Sequence, residues 1–132
     1  MAYLLDTNIV SDLVRNPRGR VQSHLAKVGD QQVFTSIIVA GELRYGAARK
    51  HSTRLTAQLE TVLGSLEILP LDAPVDRIYG DLRAELEAIG KPIGANDMLI
   101  AAHALALGCT LVTDNEREFA RVKPLSLENW LR

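Results

Sequence analysis

Very short apolar runs, each breaking off into polar residues that open a helical stretch, constrain this chain more than any other feature. Tyr3-Leu4-Leu5 runs into Asp6-Thr7-Asn8, Val33-Phe34-Thr35 into Ser36, and Thr110-Leu111-Val112 into Thr113-Asp114-Asn115. Asp, Ser and Asn at these points are suited to cap the following helix. Strands this short and apolar, alternating with helices, imply a parallel sheet covered on both faces. The expected fold is therefore α/β, a three-layer α/β/α sandwich with a short, mainly parallel central sheet. Further strands are expected at Glu67-Ile68-Leu69 and near Leu125 to Leu127. Helices are expected after Asp6, over Arg18 to Val28 with a break at Gly29-Asp30, over Ile37 to Lys50, and from Ser52 to about Ser65. Others should run from Ala73 or Pro74 through Ile89, from Asn96 to Leu107 before Gly108, and over Glu116 to Ala120. Trp130 is expected to cap the core.

The 132 residues, 47% hydrophobic and 23% charged, fit one domain over residues 1–132. No apolar run is long enough to span a bilayer, and Met1 leads directly into Ala2-Tyr3 without a basic leader. A soluble cytoplasmic protein is expected, and the lone Cys109 suits a reducing compartment as a buried small residue. The net charge of −1 hides an asymmetry: positions 7–59 hold eight Lys/Arg against three Asp/Glu, and positions 60–97 hold three against eight. Arg15, Arg18, Arg44, Arg49 and Lys50 in the basic half are candidates for gripping a phosphate backbone, although solvated helix faces would look the same.

In open α/β sheets ligands collect outside the carboxyl ends of the strands. Asp6 and Thr113-Asp114-Asn115 both fall at such ends. Asp97 would head a stripe formed by Ile100, Ala101, Ala104 and Leu105, where an ionised carboxylate is costly unless a cap, the helix dipole or a cation compensates it. Glu42 lies in an apolar helix next to Gly41. Each acid alone has an ordinary reading as a cap or a surface ion pair. Gathered at one sheet edge, they would repel and raise one another's pKa unless a metal neutralised them. Oxygen-only ligands select Mg²⁺ or Mn²⁺ rather than zinc, and such an ion supports phosphodiester hydrolysis.

At these residues the chain resembles the PIN-domain ribonucleases, specifically the VapC-like toxins of type II toxin-antitoxin systems, over essentially its whole length. Leu4-Leu5-Asp6-Thr7-Asn8 is similar to the first acidic motif of that family. Ile37 to Leu43 with Tyr45-Gly46 is similar to the second, Ile93 to Asp97 with Ile100-Ala101-Ala102 to the third, and Leu111 to Asn115 with Glu118-Phe119 to the fourth. The resemblance implies Asp6 and Asp97 as principal metal ligands, Glu42 in the metal shell directly or through water, and Thr7 and Thr113 in support. The fourth position stays open between Asn115, favoured by position, and Asp114, favoured by charge.

The resemblance further implies a Mg²⁺- or Mn²⁺-dependent endoribonuclease that cuts RNA, often transfer RNA, and so inhibits translation. A cognate antitoxin blocking the site, and a homodimer that assembles further with it, belong to the same expectation. Two other readings compete. One is an inactive module that keeps the fold for RNA or protein binding. The other is a phosphatase using Asp6 as nucleophile, disfavoured by Asn8 where a second acid would be needed.

Overall fold

The computed structural model describes residues 1–29 and 31–132; at the expected break Gly29-Asp30, Gly29 ends the helix after Val28 as its C-cap (φ 56°), and Asp30 lies outside the described residues. Five strands, β1 (Ala2–Leu5), β2 (Gln32–Ser36), β3 (Glu67–Leu69), β4 (Thr110–Val112) and β5 (Leu127–Glu128), form one sheet in the order β3-β2-β1-β4-β5. Every pairing is parallel. The most apolar strand, β1, occupies the centre, with Leu4 and Leu5 fully buried. From β1 the chain builds outward through β2 and β3, then returns to add β4 and β5 on the other side. The reversal opens a crevice between the carboxyl ends of β1 and β4, the usual place for a ligand in a parallel sheet.

The described residues form seven helices, α1 (Thr7–Arg15), α2 (Arg20–Val28), α3 (Ile37–Lys50), α4 (Thr53–Gly64), α5 (Val75–Ala88), α6 (Ala95–Leu107) and α7 (Glu116–Phe119); α3, α4 and α6 lie against the strands, and α5 packs on α6. Helix α1 buries Ile9, Val10, Leu13 and Val14, a spacing that makes one continuous apolar stripe. Helix α6 is buried nearly all round through Met98, Ile100, Ala101, Ala102, His103 and Ala104, and it ends at Gly108 in the left-handed conformation (φ 66°). Truncating Ile100 to alanine in that setting would cost about 2–5 kcal/mol.

Ser36 caps α3 by accepting from Ile38 N–H at 3.1 Å, and its hydroxyl lies 3.0 Å from Nδ1 of the buried His103. Burial holds the His103 imidazole below its ordinary pKa, so the neutral ring accepts from Ser36. That bond fastens α3 to α6, the two helices that carry Glu42 and Asp97. Trp130 is fully buried against Tyr3 and stacks on His24 with ring centroids 5.4 Å apart, as its place in the core requires. Cys109 is buried and free.

Several boundaries differ from the sequence expectation. Helix α2 starts at Arg20 rather than Arg18, because Gly19 N–H closes a turn onto Asn16 and Gly19 becomes the N-cap. Helix α5 starts after Pro74, whose carbonyl accepts from Arg77 and Ile78, and stops at Ala88. The last strand is Leu127–Glu128, because Leu125 is held in a turn by its N–H bond to Val122. No helix among the described residues is long and apolar enough to cross a membrane.

Candidate active site

Asp6 ends β1 and caps α1 in extended backbone (φ −77°, ψ 168°). Its N–H donates to Val112 carbonyl at 2.9 Å, which stitches the end of β1 to the end of β4. Its carboxylate is 3% exposed and well supplied with donors: Thr7 N–H to Oδ1 at 2.8 Å, and Thr113 Oγ1 and Asn8 Nδ2 to Oδ2 at 2.7 and 3.3 Å. Burial nevertheless raises its pKa, Glu42 adds to the rise, and the bonds from Thr113, Thr7 and Asn8 counter it only partly.

Glu42 projects from α3 toward the same point. Thr7 Oγ1 donates to Oε1 at 2.6 Å and Asn96 Nδ2 to Oε2 at 3.4 Å, so both oxygens are oriented. Asp97 sits in the first turn of α6, behind an N-cap, Gly94, that offers no side-chain bond. Its carboxyl is pushed up to about 7, by burial first, then by Asp6, by a hydrogen bond and charge from Glu118, and by Glu42. An acid raised by burial and by three neighbouring carboxylates marks a place where negative charge is crowded without relief.

At the fourth wall Asp114 and Asn115 face different ways. Asp114 turns outward, accepting from Asn129 Nδ2 at 2.9 Å with Arg132 Nε at 3.8 Å; only its backbone N–H faces the site, donating to Asn8 Oδ1 at 2.9 Å. Asn115 points inward but spends its amide on Glu118 Oε2 at 2.8 Å, while its N–H donates to Thr113 Oγ1 at 2.9 Å. The group that reaches Asp97 is Glu118, on the short α7. Sequence reading placed Glu118 in the fourth motif without giving it a role. The available signal was its spacing of three from Asn115, which puts both on one helical face beside the fully buried Phe119.

Asp6, Glu42, Asp97 and Glu118 thus form one electrostatically coupled cluster, and among the described residues no Lys or Arg pairs with any of them. The donor set is all oxygen, which fits a hard divalent cation. The carboxylates are not drawn into a ready-made cage: among the described residues no three of the His, Cys, Asp or Glu side chains converge closely enough to hold an ion as they stand. Mg²⁺, which keeps several waters and takes one or two carboxylates, suits that looser arrangement.

The basic residues are dispersed. Arg15, bonded to Ser11 at 2.8 Å, and Lys50 line a cleft of about 160 Å³ that has Glu42 at its edge and Val14, Leu43, Leu55 and Leu59 among its walls. Arg44 is held by Glu60 in a bidentate pair at 2.9 Å across α3 and α4. Arg18 is exposed in the turn before α2, and Arg49 lies over the Tyr45 ring.

The sequence profile of the PIN domain matches residues 3–124. The chain is similar to Ribonuclease VapC2 of Rickettsia felis, 41% identical over 132 residues that cover 98% of each chain. It is also similar to a tRNA(fMet)-specific endonuclease VapC of Shigella flexneri, 34% identical with 98% of each covered. Among solved structures it resembles the VapBC2 complex of Rickettsia felis bound to a promoter DNA fragment. The TM-score is 0.90 at 40% identity, over 98% of this chain and 99% of that one.

Proposed function

The chain belongs to the PIN-domain family, among its VapC ribonucleases, and from that footing we propose that the acidic cluster is the active centre of a Mg²⁺- or Mn²⁺-dependent endoribonuclease. One observation carries the reading: four carboxylates crowd the crevice between β1 and β4 with no protein cation among them, and one is driven up to about 7. A site so charged is poised for a metal and a phosphate, and costly for anything else.

Asp6 and Asp97 are the principal ligands in this reading, with Glu42 and Glu118 acting directly or through water. When bound, the ion supplies Lewis acidity and a lowered pKa for water. The chain's own residues do the positioning. Thr113 and Thr7 fix the Asp6 oxygens, Thr7 and Asn96 orient Glu42, and Asn115 donates to Glu118 Oε2 and so fixes that side chain. With its carboxyl pushed up to about 7 by burial and the acids around it, Asp97 must lose its proton before it can act as an anion, and once ionised it can receive the proton of an attacking water. The phosphatase reading loses its footing, since the Asn8 side chain is spent on Asp6 and on Asp114 N–H.

The substrate in this reading is transfer RNA, the class named for the Shigella relative, and the consequence is inhibited translation. The partner is a cognate antitoxin that covers the cleft beside Glu42, as expected of a chain whose structural relative is a VapBC complex. A homodimer that assembles further with the antitoxin, in the cytoplasm, completes the proposal. The test is cleavage of a total transfer-RNA pool by antitoxin-free protein with Mg²⁺ or Mn²⁺. Discrete fragments that vanish with chelator and in Asp97→Asn are expected; folded protein that cuts no RNA would move the assignment to an inactive binding module.

A further inference from the structure

Tyr45 is the only aromatic among the large exposed hydrophobic side chains of the described residues, with 64% of its surface open to solvent. It stands on α3 one turn beyond Glu42, and Glu42, Tyr45 and Arg49, spaced three and then four apart, share one helical face. The backbone of Tyr45 lies about 4.5 Å farther along the helix axis than that of Glu42. The Arg49 guanidinium sits over the ring with its carbon 5.7 Å from the centroid, so one side is backed by a cation while the ring as a whole stays largely open. Among the described residues, neither Arg49 nor the adjacent Lys50 has a carboxylate within ion-pair distance, in contrast to Arg44.

A solvent-facing ring is no anomaly in itself. A ring stiffened by an unpaired cation, beside a carboxylate cluster suited to phosphodiester chemistry, is the arrangement by which proteins hold single-stranded nucleic acid: aromatic faces take bases while cations track the backbone. We propose that Tyr45, backed by Arg49, is a stacking subsite for an unpaired nucleobase next to the bond that the acidic cluster cuts. The proposal rests on the nuclease reading and adds a demand to it: the substrate must present a base outside a duplex near the scissile phosphate.

The test measures binding of a short, fluorescein-labelled single-stranded RNA by anisotropy in an Asp97→Asn background, with cleavage by the parent chain scored separately. Adding Tyr45→Ala should weaken binding roughly ten-fold, while Tyr45→Phe keeps it. In a series of RNAs made abasic one position at a time, one position should weaken the Tyr45 protein by a similar factor and the Tyr45→Ala protein no further. Affinity unchanged to within about two-fold in Tyr45→Ala, with a parent that cuts RNA, overturns the subsite and leaves the nuclease standing. A parent that neither binds nor cuts RNA removes both. Unchanged RNA affinity with an altered mass by light scattering gives the ring to a protein interface and overturns the proposal.

Discussion

The two halves of the acidic cluster are built on opposite plans. On the strand side, Asp6 is buried but accepts three hydrogen bonds from Thr7, Thr113 and Asn8, and its place is fixed by the backbone bond to Val112. On the helix side, Asp97 is less buried, yet its pKa is driven to about 7, by burial first, then by the charge of Asp6 and by Glu118 and Glu42, with no hydrogen bond lowering it. Burial alone therefore does not set the cost of a carboxylate; the balance of donors and like charges around it does. The strand half is preorganised by the protein, and the helix half is left for a cation to complete.

Replacing an acid on the helix side should have the largest effect. Asp97→Asn is expected to lower RNA cleavage by more than the roughly 100-fold typical of losing a residue that merely supports a ligand, measured as kcat/KM at saturating Mg²⁺. Cleavage that survives would show that Glu118 and Asp6 suffice, and would dissolve the contrast.

On the strand side, Thr113→Val removes a donor to Asp6 and the acceptor of Asn115 N–H. Metal affinity or activity should fall roughly 10–100-fold. Urea unfolding should show about 1–3 kcal/mol of lost stability, since a buried polar group is left unpaired.

The third effect is a gain. In the folded chain Asp97 ionises near 7, whereas unfolded it ionises near 4, so the folded form binds the extra proton between those values and loses stability as pH rises through that window. With chelator present, Asp97→Asn should be more stable than the parent by about 1–2 kcal/mol at pH 8, a figure discounted for its partial exposure, and not at pH 4. Equal differences at both pH values would place the cost elsewhere.

The smallest effects separate the two residues that follow Thr113. Asn115→Ala, which frees Glu118, should slow cleavage roughly ten-fold, whereas Asp114→Ala, whose carboxylate faces Asn129 and solvent, should stay within about three-fold. The reverse order would restore the negative charge of Asp114 to the site.

That pair also marks the limit of what sequence can convey. Asp6, Glu42 and Asp97 were legible because each has a periodic apolar setting that fixes its direction: a strand end for Asp6, and the buried stripes of α3 and α6 for the others. Beyond β4 the chain leaves regular structure for three residues before a helix of four, and periodicity has too little length to say which side chain turns inward. The outcome is decided by partners distant in the chain, Asn129 and Arg132 for Asp114 and Asp97 for Glu118, which no local pattern encodes. The Arg44–Glu60 pair is of the same kind: it joins two helices, and it takes up one of the cations that sequence alone offered to RNA.

The place of β1 between β2 and β4 has a consequence in time. Thr113, the hydroxyl donor that holds the buried oxygen of Asp6, is made 107 positions after it, and Glu118 comes later still. A nascent chain can pair β1 with β2 early, but the crevice stays half-formed until β4 docks, because a strand far along the chain must close the sheet. The four acids therefore cannot meet before Glu118 has been made. A ribosome must carry synthesis past the whole sheet crossover, from β1 through β4 to α7, before the chain holds an assembled site.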